Sequence, residues 1–495
     1  MTSGVDIVCR NGAVATGPAE AAEVGASILA SGGNAMDAAA AACLAASTLE
    51  PQAVDLGGYV LAGVVLEGKS GSIWSVDANT VAPTAAKEDM FQTTRPVPGR
   101  RGINEREWGC TVVDDANIQG PLAVSVPGFL AGVGMLWERW GRLKWREIVE
   151  PARDLVARGL AYSRVLKDIR FKLEAIERYP STAVLLQPGP PGALWHRPDL
   201  IRTLDHIAAE GWRDFYSGEI GRRIADFVTS QGGILTREDM AAFAPRVSEP
   251  LTAAYHGAQI HTAIAPNGGF SVLAGLADLD RLSLVADSDP RYWQAIAKTL
   301  ARIWTDRLAG SSPVGAGPHG TIHVAAADRE GNLVSATISQ GGLFGSCLAV
   351  PGTGIILAHG MCRFDPYPGR ANSPGPRKRP LNNVCPLLIR LPDRDVVIGT
   401  RGGRRIVSVA LQMAQRVIDW NAGPRAAATA PRMHTLTGVP IEISSNFDPT
   451  IREALERDCC RIEVPDEVAG AAHGIEFFHD TRQIRAGGNT WSAGI

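Results

Sequence analysis

The sequence predicts an α+β protein, because segments with helical periodicity and segments with strand patterns both occur along the chain. Near the N-terminus, Pro18 can open a helix that Gly32 can close. A strand–turn–strand pattern covers 324–339, and a strand followed by a helix covers 395–417. The first part of the chain is therefore expected to be mainly helical, and the last part to be mainly strands.

The composition is that of a globular protein with a large core. The 495 residues are 45% hydrophobic and 20% charged, and the formal net charge is −2. This charge leaves no basic surface of the kind that nucleic-acid binding needs, so no nucleic-acid partner is predicted. No apolar run reaches the length of about 18 residues that a membrane span requires, so no membrane association is predicted.

The N-terminus and the cysteines predict a cytoplasmic protein. Residues 1–6 show neither the basic region nor the apolar run of a secretory signal peptide. The eight cysteines are scattered and form no CxxC pair. Such a distribution favours reduced thiols over a disulfide framework.

Thr321 stands where a chain can cut itself, at the head of the first strand of the 324–339 pattern. A hydroxyl directly after Gly320 can attack the Gly320 carbonyl carbon, and hydrolysis of the resulting ester frees an α-amine beside the same hydroxyl. An α-amine with a pKa of about 8 can then act as the base for that hydroxyl. The pattern suggests autocleavage between Gly320 and Thr321, although a threonine without chemistry at a strand edge also fits it.

A glycine pair supplies the second expected part of a catalytic site. Gly402 and Gly403 lie between a strand pattern and a helical pattern. Glycines leave backbone N–H groups unobstructed, and a helix N-terminus adds positive partial charge. Such a junction suits an oxyanion hole, while a simple tight turn is the alternative.

Two further motifs do not predict a cofactor or a metal. Residues 315–320 satisfy GxGxxG, but the motif follows a helix and enters a strand, which reverses the order of a dinucleotide site. His319 and His323 have HxxxH spacing, which pairs ligands only on a helix, and no HExxH motif accompanies them. His323 is expected either to neighbour the site or to lie in the core. No cofactor and no metal are predicted.

Together with further motifs, these segments resemble the γ-glutamyltranspeptidase family of N-terminal-nucleophile hydrolases. The matching stretches are GNAMDAA at 33–39, VPG at 126–128, FYSG at 215–218, GGIL at 232–235, RPL at 379–381 and APRMH at 430–434. The resemblance implies a four-layer αββα sandwich. It also implies a mainly α large subunit of residues 1–320 and a mainly β small subunit of 321–495, which together form one structural domain.

The resemblance also assigns roles in catalysis. Thr321 is the implied nucleophile, and the N–H groups of Gly402 and Gly403 are the implied oxyanion donors. Ser339 replaces a family threonine that hydrogen-bonds the nucleophile, and it keeps the hydroxyl.

The positions that bind a γ-glutamyl group in the family differ here. Asn79 replaces the arginine that holds the substrate carboxylate, and Arg363 replaces an aspartate that holds the ammonium. Asn382 and Asn383 replace two hydroxyl residues, and Gly341 replaces an asparagine. Each lost charge-assisted contact is worth about 1.5–3 kcal/mol. We therefore expect a substrate without the γ-glutamyl head, with a carboxylate or oxo-acid group for Arg363 and neutral oxygens for the two amides.

The leading hypothesis is a self-processing threonine hydrolase that acts on a small molecule. The bond it cleaves is either an amide C–N bond or a C–C bond beside a ketone. The C–C case is similar to relatives in the biosynthesis of the alkylproline units of lincomycin-type antibiotics. One alternative is a γ-glutamyl transferase with a rearranged substrate clamp, and another is an unprocessed binding protein without chemistry. The expected partners are the substrate and the two fragments of the same chain, and a homodimer is left open.

Overall fold

The computed structural model describes residues 6–94, 108, 110–162, 165, 168–187, 190, 192–281, 286–308, 320–436, 438–457, 461–464 and 471–495. Their strands are β1 Ile7–Cys9, β2 Gly12–Thr16, β3 Val60–Leu66, β4 Ile73–Asp77, β5 Leu160–Ala161, β6 Leu194–Trp195, β7 Arg246–Ser248, β8 Leu251–Tyr255, β9 Ala258–Thr262, β10 Gly320–Asp328, β11 Leu333–Gly341, β12 Leu348–Val350, β13 Ile355–Leu357, β14 Leu387–Arg390, β15 Arg394–Thr400, β16 Met433–His434, β17 Ile441–Ile443, β18 Ile462–Glu463, β19 Ala472–Phe478, β20 Ile484–Gly488 and β21 Trp491–Gly494.

The α-helices of the same residues are Ala19–Ala30, Ala35–Leu49, Phe129–Trp140, Trp145–Arg158, Leu173–Arg178, Pro180–Leu185, Pro198–Glu210, Asp214–Ser217, Glu219–Ser230, Arg237–Ala241, Gly269–Leu279, Pro290–Arg307, Arg405–Asp419, Pro424–Thr429 and Pro449–Arg457. Short 3₁₀ turns cover Val113–Asp115, Pro121–Ala123 and Gly360–Arg363.

Two seven-stranded antiparallel sheets form the centre of the fold. Sheet one has the order β1-β20-β19-β15-β14-β9-β8, and sheet two has the order β21-β2-β10-β11-β3-β4-β7. Small and branched apolar side chains from both sheets, such as Ala325, Leu333 and Val397, fill the space between them. Each sheet takes strands from both sides of the bond between Gly320 and Thr321.

Helices cover the outer faces of both sheets. A cluster that includes Leu44, Phe129 and Ile322 packs helices from the first 230 residues against sheet two. A second cluster, which includes Leu276, Leu300 and Leu411, packs helices against sheet one. The order of layers is helix, sheet, sheet, helix, so the predicted four-layer αββα sandwich is confirmed.

The GNAMDAA motif has a structural role as a helix start. Asn34 caps the helix Ala35–Leu49, and its side-chain oxygen accepts from the N–H of Asp37 at 3.0 Å. The Asp37 carboxylate accepts in turn from the Asn34 N–H at 3.0 Å and from the Arg142 N–H at 2.9 Å. All residues of this helix are buried, and most of its side chains are small. The motif therefore anchors a core helix and the loop that follows Trp140.

The segments predicted from local pattern are present. The first helix ends at Ala30, β10 and β11 form the expected hairpin, and the Arg405–Asp419 helix follows β15. The six described cysteines, at 9, 43, 110, 347, 362 and 385, are free thiols. Residues 315–319 of the GxGxxG stretch, which include His319, and the cysteines at 459 and 460 lie outside the described residues. Within the described ranges, no helix combines the length and the apolar character that crossing a bilayer demands.

Candidate active site

Thr321 lies in the interior on β10, directly after the Gly320–Gly341 pair that begins the β10–β11 hairpin. Its side chain faces Ser339, its register partner in β11, and the two hydroxyl oxygens are 3.0 Å apart. Only 3% of Thr321 is exposed to solvent. The structure thus brings together the predicted nucleophile and the residue predicted to orient it.

The Ser339 hydroxyl also contacts the bond that is predicted to be cut. Ser339 Oγ donates to the carbonyl oxygen of Gly320 at 2.5 Å and accepts from the N–H of Gly341 at 3.1 Å. A hydroxyl has one proton to donate. Because Ser339 uses that proton on the Gly320 carbonyl, Thr321 is the donor of the contact between the two hydroxyls. One side chain therefore holds both the Thr321 hydroxyl, the predicted nucleophile, and the Gly320 carbonyl.

A β-bulge sets this geometry. Thr321 pairs with Ser339 while Gly320 pairs with Gly341, so Gln340 is the extra residue in β11. The Gln340 side chain accepts from the Asp55 N–H at 2.9 Å and donates to the Ile356 carbonyl at 3.1 Å. Bulges of this kind bend a strand and redirect side chains near active sites.

Gly341 makes room for a buried histidine that sequence reasoning missed. Gly341 has φ +94°, and a Cβ atom there would lie 2.5 Å from ring atoms of His359. His359 Nε2 accepts from the Gly342 N–H at 2.5 Å, and Nδ1 faces the Ile118 carbonyl at 2.7 Å. These partners require a neutral ring with its proton on Nδ1. The substitution of a family asparagine by Gly341 was the available signal for this ring, and the substrate contact of Gly341 stays a prediction.

Gly402 and Gly403 form a turn at the Thr321 end of the inter-sheet space. They have φ +142° and +59°, and both are buried at the start of the Arg405–Asp419 helix. Neither N–H donates a hydrogen bond to any residue in the described part of the chain. The turn makes no hydrogen bond to Thr321, so its oxyanion role stays a prediction.

The path of β15 over the hairpin places this turn. Ser335 Oγ donates to the Ile398 carbonyl at 3.1 Å, and a Cβ atom on Gly399 would lie within 2.5 Å of the His323 ring. His323 is closer to the start of β10 than Ala325, the residue that pairs with Ser335. The chain therefore leaves β15 and enters the glycine turn on the side of the sheet where Thr321 lies.

Asn79 and Asn382 contact each other and are linked to the strand of Ser339 through Tyr59. Tyr59 donates its N–H to the Ser339 carbonyl at 3.0 Å and its hydroxyl to Asn382 Oδ1 at 3.0 Å. Asn382 Nδ2 lies 3.4 Å from Asn79 Oδ1. One tyrosine thus joins the strand of Ser339 to the predicted substrate-binding amides.

Asn383 is held by an arginine that was not predicted as a site residue. Arg307, the last residue of its helix, donates from Nη2 and Nε to Asn383 Oδ1 at 3.3 and 3.4 Å. It also donates to the Asn382 carbonyl, and its guanidinium lies 4.9 Å from the centre of the Phe270 ring. Both Arg307 and Asn383 are buried.

Arg363 lies at the end of the 3₁₀ turn Gly360–Arg363 and is buried. Its carbonyl accepts from Asn372 Nδ2 at 2.8 Å, and Asn372 Oδ1 accepts from the Leu381 N–H at 2.9 Å. The turn is therefore tied to the segment of Asn382 and Asn383. Trp108 donates to the carbonyl of Cys362 at 3.2 Å, on the same turn.

His323 belongs to a pair of buried histidines, not to the hydrogen bonds around Thr321. The His323 ring centre lies 4.9 Å from that of His473, and each Nδ1 contacts a threonine hydroxyl at 2.9 Å. Burial, with a smaller effect from His473, holds the pKa of His323 well below its ordinary value. The described residues contain no group of three or more His, Cys, Asp or Glu side chains that is arranged to hold a metal ion.

The comparisons with known proteins agree with this architecture. The sequence model of the family described as Gamma-glutamyltranspeptidase matches residues 21–311 and 308–495. The Acylase ACY 1 proenzyme of Pseudomonas sp. (strain V22) is 30% identical over 520 residues, with 95% of this chain and 90% of the relative covered. The glutathione hydrolase proenzyme of Bacillus subtilis subsp. natto is 29% identical over 512 residues, with 89% and 85% covered.

A solved structure shows the shared fold. The cephalosporin acylase from Bacillus halodurans superposes with a TM-score of 0.86 at 23% identity, with 100% of this chain and 97% of that chain covered. The relatives are hydrolytic enzymes, which confirms the predicted enzyme class. The chain belongs to the gamma-glutamyltranspeptidase family of N-terminal-nucleophile hydrolases.

Proposed function

We propose that the protein cuts itself before Thr321 and then uses Thr321 to hydrolyse an amide bond of a small substrate whose acyl group carries a carboxylate. The observation that supports this most strongly is the chain of contacts from Thr321 Oγ1 to Ser339 Oγ to the Gly320 carbonyl oxygen, at 3.0 and 2.5 Å. These contacts support the proposal because they bring a hydroxyl and a donor to the carbonyl oxygen to the same peptide bond.

Self-cleavage proceeds in two steps. Thr321 Oγ1 attacks the Gly320 carbonyl carbon, and negative charge develops on the carbonyl oxygen to which Ser339 donates. The C–N bond then breaks, and the nitrogen takes the proton that the hydroxyl loses, which leaves an ester and a free α-amine. Water hydrolyses the ester to a Gly320 carboxylate and a Thr321 hydroxyl. The products are residues 1–320 and 321–495, whose strands remain paired in both sheets.

In turnover, the new α-amine of Thr321 takes the proton of its own hydroxyl, which attacks the substrate carbonyl carbon. The N–H groups of Gly402 and Gly403 stabilise the oxyanion, a role supported by their lack of acceptors within the described residues. The amine returns the proton to the leaving nitrogen, and water then releases the acyl group from Thr321. Ser339 keeps the hydroxyl oriented throughout.

The proposed substrate class is supported by the surroundings of Arg363 and by the names of the relatives. Arg363 is buried on a turn tied to the segment of Asn382 and Asn383, so a carboxylate there gains a charge-assisted contact. The relative at 30% identity is called an acylase, which favours amide cleavage over C–C cleavage. The relatives called glutathione hydrolases keep γ-glutamyl cleavage as the second candidate.

The cheapest test is a denaturing gel with N-terminal sequencing of the fragments. We expect the wild type to give two fragments, the shorter of which begins Thr-Ile-His. Thr321→Ala removes the nucleophile and should leave the chain whole, while Thr321→Ser keeps a hydroxyl and should still split. A Thr321→Ala chain that splits at the same bond, or an intact wild type, contradicts the proposal. Assay with glutaryl and γ-glutamyl p-nitroanilides, which differ only in the ammonium, then separates the two substrate classes.

A further inference from the structure

We infer that Arg307 is a positioning residue that gives the substrate pocket its polarity. It holds the oxygen of the Asn383 amide, so that the NH₂ group of that amide is presented to the substrate. In the neighbouring amides of Asn79 and Asn382, too, the oxygen faces donors of the protein. The amide cluster, defined as Asn79, Asn382 and Asn383, therefore accepts a carboxylate and rejects an ammonium. This inference rests on the proposed function for the location of the pocket.

The orientation of Asn383 is fixed by its partner. Both contacts from Arg307, at 3.3 and 3.4 Å, reach Asn383 Oδ1. A guanidinium has only donors, so the oxygen and not the nitrogen of the amide must face it. Asn383 is only 5% exposed, and its Nδ2 has no hydrogen-bond partner within the described residues. A buried NH₂ group without an acceptor is unfavourable, and a ligand oxygen removes that penalty.

The orientation of Asn382 is fixed in the same way. Its Oδ1 accepts from the backbone N–H of Val384 at 3.2 Å, and a backbone N–H cannot accept. The hydroxyl of Tyr59 gives the same oxygen a second donor at 3.0 Å. Asn382 Nδ2 then lies 3.4 Å from Asn79 Oδ1, and Asn79 Nδ2 donates to the Pro380 carbonyl at 3.0 Å.

All three amide oxygens are thus used inside the protein, and the hydrogens that remain for a ligand are on nitrogen. A carboxylate offers only acceptors and matches these NH₂ hydrogens, whereas an ammonium offers only donors, and the oxygens of Asn382 and Asn383 each already face two donors. The positive charge of Arg307 beside the cluster acts in the same direction. The inferred ligand group at Asn382 and Asn383 is therefore a carboxylate, whereas the sequence analysis expected neutral oxygens there.

Arg307 is itself well held, as a positioning residue must be. Besides Asn383, it donates to the carbonyls of Asn382 and Pro266 and contacts Ser271 Oγ at 3.5 Å. The Phe270 ring lies under its guanidinium. The rigid planar fork can therefore reach both asparagine segments at once.

The inference is tested by calorimetric binding of two probes, glutarate and 4-aminobutyrate, to the purified full-length protein. The second probe replaces one carboxylate of the first by an ammonium. We expect the wild type to bind glutarate at least tenfold more tightly. Asn383→Asp keeps the shape and gives Arg307 a partner, but it replaces the NH₂ donor by an oxygen, so glutarate affinity should fall at least tenfold. Asn446→Asp adds the same charge at an exposed amide and should leave the affinity within twofold.

Arg307→Gln tests the positioning role through selectivity. Without a fixed donor, the Asn383 amide can turn its oxygen to the ligand, so the ratio of the two affinities should fall toward one. Arg307→Lys keeps a donor and should restore part of the ratio. A purely structural role of Arg307 would weaken both probes equally.

Four outcomes overturn the inference: no glutarate binding to the wild type, equal binding of both probes, an unchanged glutarate affinity in Asn383→Asp, or equal weakening of both probes in Arg307→Gln. None of them affects splitting of the chain before Thr321, which is read on a gel. Conversely, a protein that selects glutarate but stays in one piece refutes self-cleavage and supports the polarity of the cluster.

Discussion

Ser339 and Thr321 are register partners in the β10–β11 hairpin, with their hydroxyl oxygens 3.0 Å apart. The same Ser339 hydroxyl donates to the carbonyl oxygen of Gly320 at 2.5 Å. One side chain therefore contacts both the hydroxyl proposed to attack and the carbonyl proposed to be attacked, and an ordinary strand serine makes no such double contact.

Ser339→Ala should slow self-cleavage by about 10²-fold to 10³-fold, because it removes a donor from the carbonyl oxygen that gains charge. Ser339→Thr keeps the hydroxyl and should cleave at a rate near that of the wild type. The rate is measured as the loss of the uncut chain on a denaturing gel over time.

Ser335→Ala is the matched control, since Ser335 is a buried serine of the same strand whose hydroxyl contacts Ile398 instead. It should cleave like the wild type. Equal rates for Ser339→Ala and Ser335→Ala would mean that the Ser339 contact with the carbonyl has no part in cleavage.

Gly341→Ala should destabilise the fold by about 1–3 kcal/mol more than an alanine at an uncrowded glycine of similar φ, because the new Cβ meets the His359 ring. Gly71 is that glycine: its φ is +72°, and no atom lies within 4 Å of a Cβ placed there. The two variants are compared by urea unfolding in the Thr321→Ala background, which keeps the protein as one chain. Equal losses would show that the ring moves aside without cost.

The buried histidine pair predicts a pH-dependent stability. Burial lowers the pKa of His473 to about 3, with Arg401 acting in the same direction, and burial also lowers the pKa of His323. An unfolded histidine has a pKa of about 6.5, so the unfolded chain takes up protons that the folded chain does not. The stability that the two uncharged histidines contribute is thus fully present above pH 6.5. It is lost as the pH falls below that value, by about 1.4 kcal/mol per pH unit for each histidine.

His473→Asn removes one of these groups and keeps a polar partner for Thr490. Between pH 7.5 and 5.5, its free energy of unfolding should fall by about 1.4 kcal/mol less than that of the parent. Asp55 and Glu476, whose pKa values burial raises, act in the opposite sense but are present in both proteins. Identical pH slopes would mean that His473 is protonated in the folded state.

The sequence predicted the parts of the fold that depend on local pattern. The hairpin of Thr321 and the strand before Gly402 could be predicted because each shows its strand pattern within one short segment. The order of layers came from the resemblance to a family. The contacts that give the site its polarity are different in kind. Tyr59 meets Asn382 across 323 positions, and Arg307 meets Asn383 across 76. The pattern of a single segment does not show which atom of an amide will bind a partner so far away in the sequence.

Arg363→Gln should raise the KM for glutaryl p-nitroanilide by at least tenfold, because a hydrogen-bonded charge contact is worth about 1.5–3 kcal/mol. Arg377→Gln removes the same charge from an exposed part of the neighbouring loop and should leave the KM within twofold. Splitting before Thr321 should continue in both variants, since the contacts of Ser339 with Gly320 and Thr321 do not involve either arginine. A fall in kcat at unchanged KM would instead place Arg363 at the reacting carbonyl and remove it from the carboxylate site.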